Sequence, residues 1–141
     1  MRIPPTELKQ FVTNIFVGAN VPEEEAARDL ASDFGARVTV FDWVQAGNMI
    51  DEAALVVNTT SLGMIGKPEM RIPLDGLRPG IVVTDLVYTP LKTRLLTEAE
   101  AAGCKIVDGL GMLLHQAVPG FERWFGERPT VDSAARAAAL R

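Results

Sequence analysis

Apolar positions along the chain fall into two kinds of pattern. Between residues 6 and 18, Leu8, Phe11, Val12, Ile15 and Phe16 recur at helical spacing, which draws one apolar stripe down one face. Pro4-Pro5 ahead of Thr6 and Gly18 behind predict a helix between them. A second helix is expected over residues 22–34. Glu23, Glu24 and Glu25 occupy its first turn, where negative charge suits the helix dipole. Ala26, Ala27, Leu30, Ala31 and Phe34 form its stripe, and Gly35 supplies the left-handed residue that closes it. Short β-branched runs at 37–41, 54–58, 80–85 and 105–107 read as strands. Ala54-Leu55-Val56-Val57-Asn58 lacks polar alternation, which predicts burial on both faces. A brief helix or turn is expected at 48–54. Leu91, Leu95, Leu96 and Ala99 place a helix over 90–102, ended by Gly103. A long apolar helix spans 111–125, with Trp124 and Phe125 read as core and Gly126 as its stop. An Ala-rich helix over 132–140 starts at Asp132 or Ser133 as cap. Trp43 is expected to pack at the sheet edge.

Strands that alternate with helices imply the α/β class, a parallel sheet with right-handed crossovers. Composition narrows the function classes. A chain of 141 residues, 48% apolar and 23% charged, buries a core of its own rather than staying disordered. The net charge is −4 and basic residues are scattered, so no electrostatic footprint for nucleic acid forms. No apolar run has the length of a membrane span, and Met1-Arg2-Ile3-Pro4-Pro5 carries no signal core; a cytoplasmic protein is the expectation. The single Cys104 leaves no internal disulfide or multi-Cys metal site, and reads as a small apolar residue before a strand.

Three segments carry the candidate chemistry: Asn58-Thr59-Thr60-Ser61-Leu62-Gly63-Met64, Asp85-Leu86-Val87-Tyr88-Thr89-Pro90, and Asp108-Gly109-Leu110-Gly111-Met112-Leu113-Leu114-His115-Gln116. Each ends an apolar run and breaks into small or polar residues, as the carboxyl ends of parallel strands do where they meet a ligand. Gly109-Leu110-Gly111 is not a dinucleotide phosphate loop, because position 114 is Leu where the third small residue is needed and the segment lies late in the chain. His115 stands alone, without a second His or an acid cluster at metal-ligand spacing. Asp85 is the only acid at a buried strand end and is expected to orient its loop.

In order and wording the three segments resemble the C-terminal, NADP-binding half of shikimate dehydrogenases, from about Ala26 onward; residues 1–25 stand outside the resemblance as a helical extension before a domain of residues 26–141. The resemblance implies an oxidoreductase that interconverts 3-dehydroshikimate and shikimate, or acts on quinate, with NADP, or alternatively NAD, as cofactor. It implies Thr60, Leu86 and Gly109 on the cofactor side, and Tyr88 and Gln116 on the substrate side. A Gln amide suits a polyol because it both donates and accepts. In that family the base is a Lys paired with an Asp in an N-terminal domain that this sequence does not contain. The family's first strand, its Gly loop and its second strand are missing from the pattern as well. The expected fold is therefore an incomplete Rossmann-like parallel sheet flanked by helices, with an N-terminal helical pair. Exposed parallel edges favour association, so a homodimer or a complementary N-terminal fragment is the expected partner. The alternative is a non-catalytic remnant that serves as a binding or oligomerisation module.

Overall fold

A computed structural model describes residues 15–19 and 24–141. They fall in two compact units, Met1–Met49 and Ile50–Arg141. In the first, Ile15–Ala19 is a strand (β1), Glu24–Phe34 a helix (α1), and Val38–Asp42 a second strand (β2). Gly35, at φ +66°, turns the chain out of α1 as its position in the sequence requires. The two strands run parallel, in register from Ile15 opposite Val38 to Ala19 opposite Asp42. This β–α–β unit corrects two expectations. The helix expected over residues 6–18 does not extend through Ile15–Gly18, which is strand; the rest of that segment lies outside the described residues. Ile15-Phe16-Val17 is a run of β-formers, and its coincidence with helical offsets misled the periodicity. The strand expected at 37–41 stands at 38–42, and although the sequence pattern reads as missing the two strands before it, β1 pairs with it. After β2 a tight turn at Trp43–Gln45, closed by Asp42 accepting from the Val44 N–H at 3.1 Å, leads into the short helix Ala46–Ile50 (α2).

The second unit is built on a three-stranded parallel sheet. Its strands are Leu55–Asn58 (β3), Val82–Asp85 (β4) and Lys105–Val107 (β5), and β4 lies in the middle. The helices are Arg94–Ala101 (α3), Gly109–Phe125 (α4) and Ser133–Ala139 (α5). The connection from β3 to β4 contains no helix. Residues 59–81 hold Pro68, Pro73, Pro79 and four glycines, a content that breaks helical hydrogen bonding. Buried Met70, Ile72 and Leu77 pin this long connection to the core instead. α3 begins at Arg94 rather than near residue 90 because Thr93 caps it, its side chain accepting from the Leu96 N–H. α4 contains Pro119, which donates no backbone hydrogen bond.

Register places Val56, Val83 and Ile106 on one face of the sheet with Asn58 and Asp85. That face meets the core, in which Ile81, Val83, Val87, Leu95, Leu96 and Ala99 are at most 3% exposed. The other face carries Leu55, Val57 and Val107 at 53, 44 and 45% exposed. The expectation that residues 54–58 are buried on both faces is thus wrong for this unit. A continuous apolar run suits a strand covered twice, yet among the described residues the second face stays open to solvent. Trp124 and Phe125 are likewise surface residues, 79 and 65% exposed, not core. They lie beyond Val118, the last buried position of α4. Leu96 is fully buried at the centre, so Leu96→Ala is expected to lower unfolding stability by about 3 kcal/mol, the cost of lost transfer energy plus the cavity left behind. Urea unfolding followed by far-ultraviolet circular dichroism measures the change.

Candidate active site

At the carboxyl end of the sheet a buried polar cluster replaces the apolar core. Asp85, the last residue of β4, is fully buried. Its carboxylate accepts three hydrogen bonds: from Asn58 Nδ2 at 3.0 Å, from the Val87 N–H at 2.9 Å and from Thr93 Oγ1 at 2.6 Å. Such donors replace the water that a buried carboxylate loses. Asn58, opposite Asp85 in register, also donates to the Leu62 carbonyl at 3.2 Å. Its Oδ1 accepts from the backbone N–H and the hydroxyl of Thr60, at 3.0 and 2.8 Å. The Thr60 hydroxyl in turn accepts from the Leu62 N–H at 3.1 Å. Among the described residues no buried side-chain nitrogen or oxygen is left without a partner.

The loops after β3 and β4 are joined further by backbone. The Leu86 N–H donates to the Asn58 carbonyl at 3.0 Å, and the Ile65 N–H to the Thr89 carbonyl at 2.9 Å. Gly63 takes φ +88° to complete the first loop, which places it beside Thr93. A cavity of about 110 Å³ lies between this loop and α3, against Asp85, Thr93 and Arg94. It is smaller than the roughly 300 Å³ that a drug-sized ligand needs, so a larger ligand would lie across the open loop ends.

The third loop arrives with α4. Gly109, its first residue, is buried against the turn after β4: a Cβ there would stand 2.4 Å from the Leu86 carbonyl oxygen and 2.7 Å from that of Val87. Only glycine permits this approach. Asp108 caps the helix by accepting from the Leu110 N–H at 3.1 Å. The same carboxylate takes both terminal nitrogens of Arg136 on α5, a bidentate pair. This hydrogen bond raises the Arg136 pKa, against a smaller opposing desolvation. The last helix is thereby tied to the loop that carries Gly109.

The structure brings Thr60, Leu86 and Gly109 onto adjoining loops. Leu86 is half-buried between the other two strand ends. Thr60 has its hydroxyl turned inward to Asn58 and Leu62, so it shapes the loop more than it offers a donor to solvent. Tyr88 is 41% exposed on the β4 loop. Gln116 and His115 are exposed on α4. Cys104 is buried, its thiol against the Arg78 carbonyl at 3.2 Å, in keeping with a structural role. Among the described residues no group of His, Cys, Asp and Glu could hold a metal ion, and no helix is long and apolar enough to cross a membrane. Lys92, near the loops in sequence, pairs with Glu100 at the surface. The residue that sequence reasoning missed is Thr93. A Thr shortly after Pro90 and ahead of an apolar helical run marks a cap, but its bond to Asp85 depends on the fold.

The chain is similar to known proteins on three counts. Residues 109–138 match the family model described as the shikimate 5'-dehydrogenase C-terminal domain. Shikimate dehydrogenase (NADP(+)) of Cereibacter sphaeroides is 76% identical over 111 residues, which are 79% of this chain and 40% of that protein. The enzyme of the same name from a Ruegeria species is 64% identical over 131 residues, 88% of this chain and 48% of its own length. Among solved structures, quinate dehydrogenase from Corynebacterium glutamicum in complex with NAD aligns with a TM-score of 0.78 at 31% identity, over 94% of this chain and 48% of that one. Shikimate 5-dehydrogenase from Thermus thermophilus in complex with NADP(H) and shikimate aligns at 0.72 and 32% identity, over 95% and 48%. The chain spans 40–48% of the length of these relatives. It belongs to the shikimate dehydrogenase family and corresponds to the C-terminal part of its members.

Proposed function

We propose that this chain forms the cofactor-side half of an NADP-linked oxidoreductase acting on shikimate or quinate in the cytoplasm. The observation that carries the reading is the convergence of three strand-end loops, with Gly109 packed against the backbone of Leu86, in a chain whose relatives are named for shikimate and NADP(+). Bound NADP would supply hydride exchange. The chain's own part is to hold the nicotinamide end: half-buried Leu86 offers an apolar contact and its carbonyl, while Gly109 keeps the third loop close. Thr60, bonded to Asn58 and Leu62, keeps the first loop folded on the side where a cofactor would lie. Tyr88 and Gln116, both exposed, would donate to and accept from the hydroxyls of the polyol. The loops offer the pyrophosphate no Gly-rich anchor, and no Lys–Asp base stands among them. Those functions would come from a complementary fragment that carries the rest of the relatives' length.

The test is a titration of the purified chain with NADP+ and NAD+, then the ultraviolet absorbance of reduced nucleotide on adding shikimate or quinate. Saturable binding of NADP+ is expected, with turnover only after addition of the N-terminal half of a full-length relative. In that mixture Tyr88→Phe and Gln116→Ala should each lower turnover about tenfold, the equivalent of one hydrogen bond to the substrate, with nucleotide affinity unchanged. Absence of binding to either nucleotide would sink the proposal. A second reading, a non-catalytic assembly module, is favoured by the bare sheet face at Leu55, Val57 and Val107. It expects a homodimer in sedimentation that persists without nucleotide.

A further inference from the structure

The geometry points to Asp85 as a positioning residue that couples the β3 loop to the β4 loop, with Thr93 and Asn58 as its two arms. This deepens the reading above and rests on it for the consequence on the cofactor. The carboxylate is fully buried, and its oxygens accept from Asn58 Nδ2, the Val87 N–H and Thr93 Oγ1. A carboxylate held in this way cannot reach a substrate proton; proton transfer requires the base within hydrogen-bond reach of that proton. What it does is mechanical. One oxygen fixes the turn that presents Leu86 and, through Asn58, reaches the first loop. The other fixes Thr93, which stands beside Gly63 of that same loop. Asn58 completes the circuit by accepting from the N–H and hydroxyl of Thr60 and by donating to the Leu62 carbonyl. The loops that carry Thr60 and Leu86 therefore share one buried anion, and neither loop moves without disturbing the bonds of the other.

Fully satisfied buried networks specify one arrangement, and loosening one member is felt by the rest. The decisive variant is Thr93→Val. It keeps the side-chain shape and removes the hydroxyl from which Asp85 accepts. Amide hydrogen exchange on the full chain, read residue by residue at a temperature where every variant is folded, is the measurement. In Thr93→Val the amides of Thr60 and Leu62, which Thr93 does not bond, should exchange about tenfold faster, as the loss of one charge-assisted bond implies. Thr93→Ser, which keeps the hydroxyl, should retain wild-type rates at both. Acceleration confined to Leu96 and Thr97 would mean that Thr93 is a helix cap and nothing more, and would overturn the coupling. Equal acceleration at core amides such as Val83 would mean global destabilisation, and would overturn it too. NADP+ affinity is the second arm: it should fall about tenfold in Thr93→Val and recover in Thr93→Ser. A wild-type chain that binds no NADP+ counts against the cofactor reading alone, and the exchange rates then decide the coupling. Unchanged affinity in Thr93→Val, with a wild type that binds, overturns the role in cofactor positioning.

Discussion

Gly109→Ala is expected to destabilise the fold by about 3 kcal/mol, the upper part of the range for overpacking, and to abolish nucleotide binding. The added methyl would stand 2.4 Å from the carbonyl oxygen of Leu86, 2.6 Å from its carbon and 2.7 Å from the oxygen of Val87. All three are backbone atoms at the end of the central strand, so no side chain can rotate out of the way. The start of α4 must back off from the β4 loop, which pulls on the Asp108 cap and its bond to Arg136. Gly111, two residues on in the same helix, meets nothing within 4 Å. Gly111→Ala is therefore expected to stabilise by about 0.5–1 kcal/mol through helix propensity. Opposite shifts in the urea midpoint of the two variants, at constant denaturant slope, are the result that checks this. Equal shifts would mean that Gly109 is an ordinary helical glycine.

Asp85→Ala is expected to cost about 4 kcal/mol, because it removes one group and orphans three buried donors. Asn58, Val87 and Thr93 each lose a buried acceptor. Asp85→Asn keeps the volume and one acceptor oxygen, and should cost about half as much. The ordering Ala worse than Asn, measured by chemical unfolding, separates loss of hydrogen bonding from loss of charge. If the two variants unfold alike, the charge rather than the bonding geometry holds the loops.

Much of this was legible in the residues, and the reasons are local. Gly35, Gly103 and Gly126 stop helices where a left-handed residue is needed, and each takes positive φ. β5 and α5 stand close to where patterning and the Asp132 cap place them. The three site segments were visible because strand ends combine apolar runs with small and polar residues. What was not legible depends on contacts far apart in sequence. Asn58 and Asp85 meet only because β3 and β4 pair in that register. The need for glycine at 109 arises from Leu86, a residue of another loop. Ile15 and Phe16 fall on helical offsets and read as helix, whereas Ile15–Ala19 pairs as a strand with β2, far along the chain. Trp124 and Phe125 looked like core because size and hydrophobicity do not reveal which side of a helix has a neighbour.

Pro119 divides α4 unequally. Before it stand Gly109, Leu110 and, adjoining it, Val118, the buried residues that fasten the helix; after it come Phe121, partly exposed, and Trp124 and Phe125, largely in solvent. The proline withholds one rung of the backbone ladder between the halves. Opening of the outer half thus has little leverage on the inner one, and the last turns fray at a fraction of the free energy of global unfolding. Gln116 sits on the inner side of that break. Gln116 and the Asp108 cap are thus carried by the anchored segment, and the aromatic end of the helix is free to adapt without moving them.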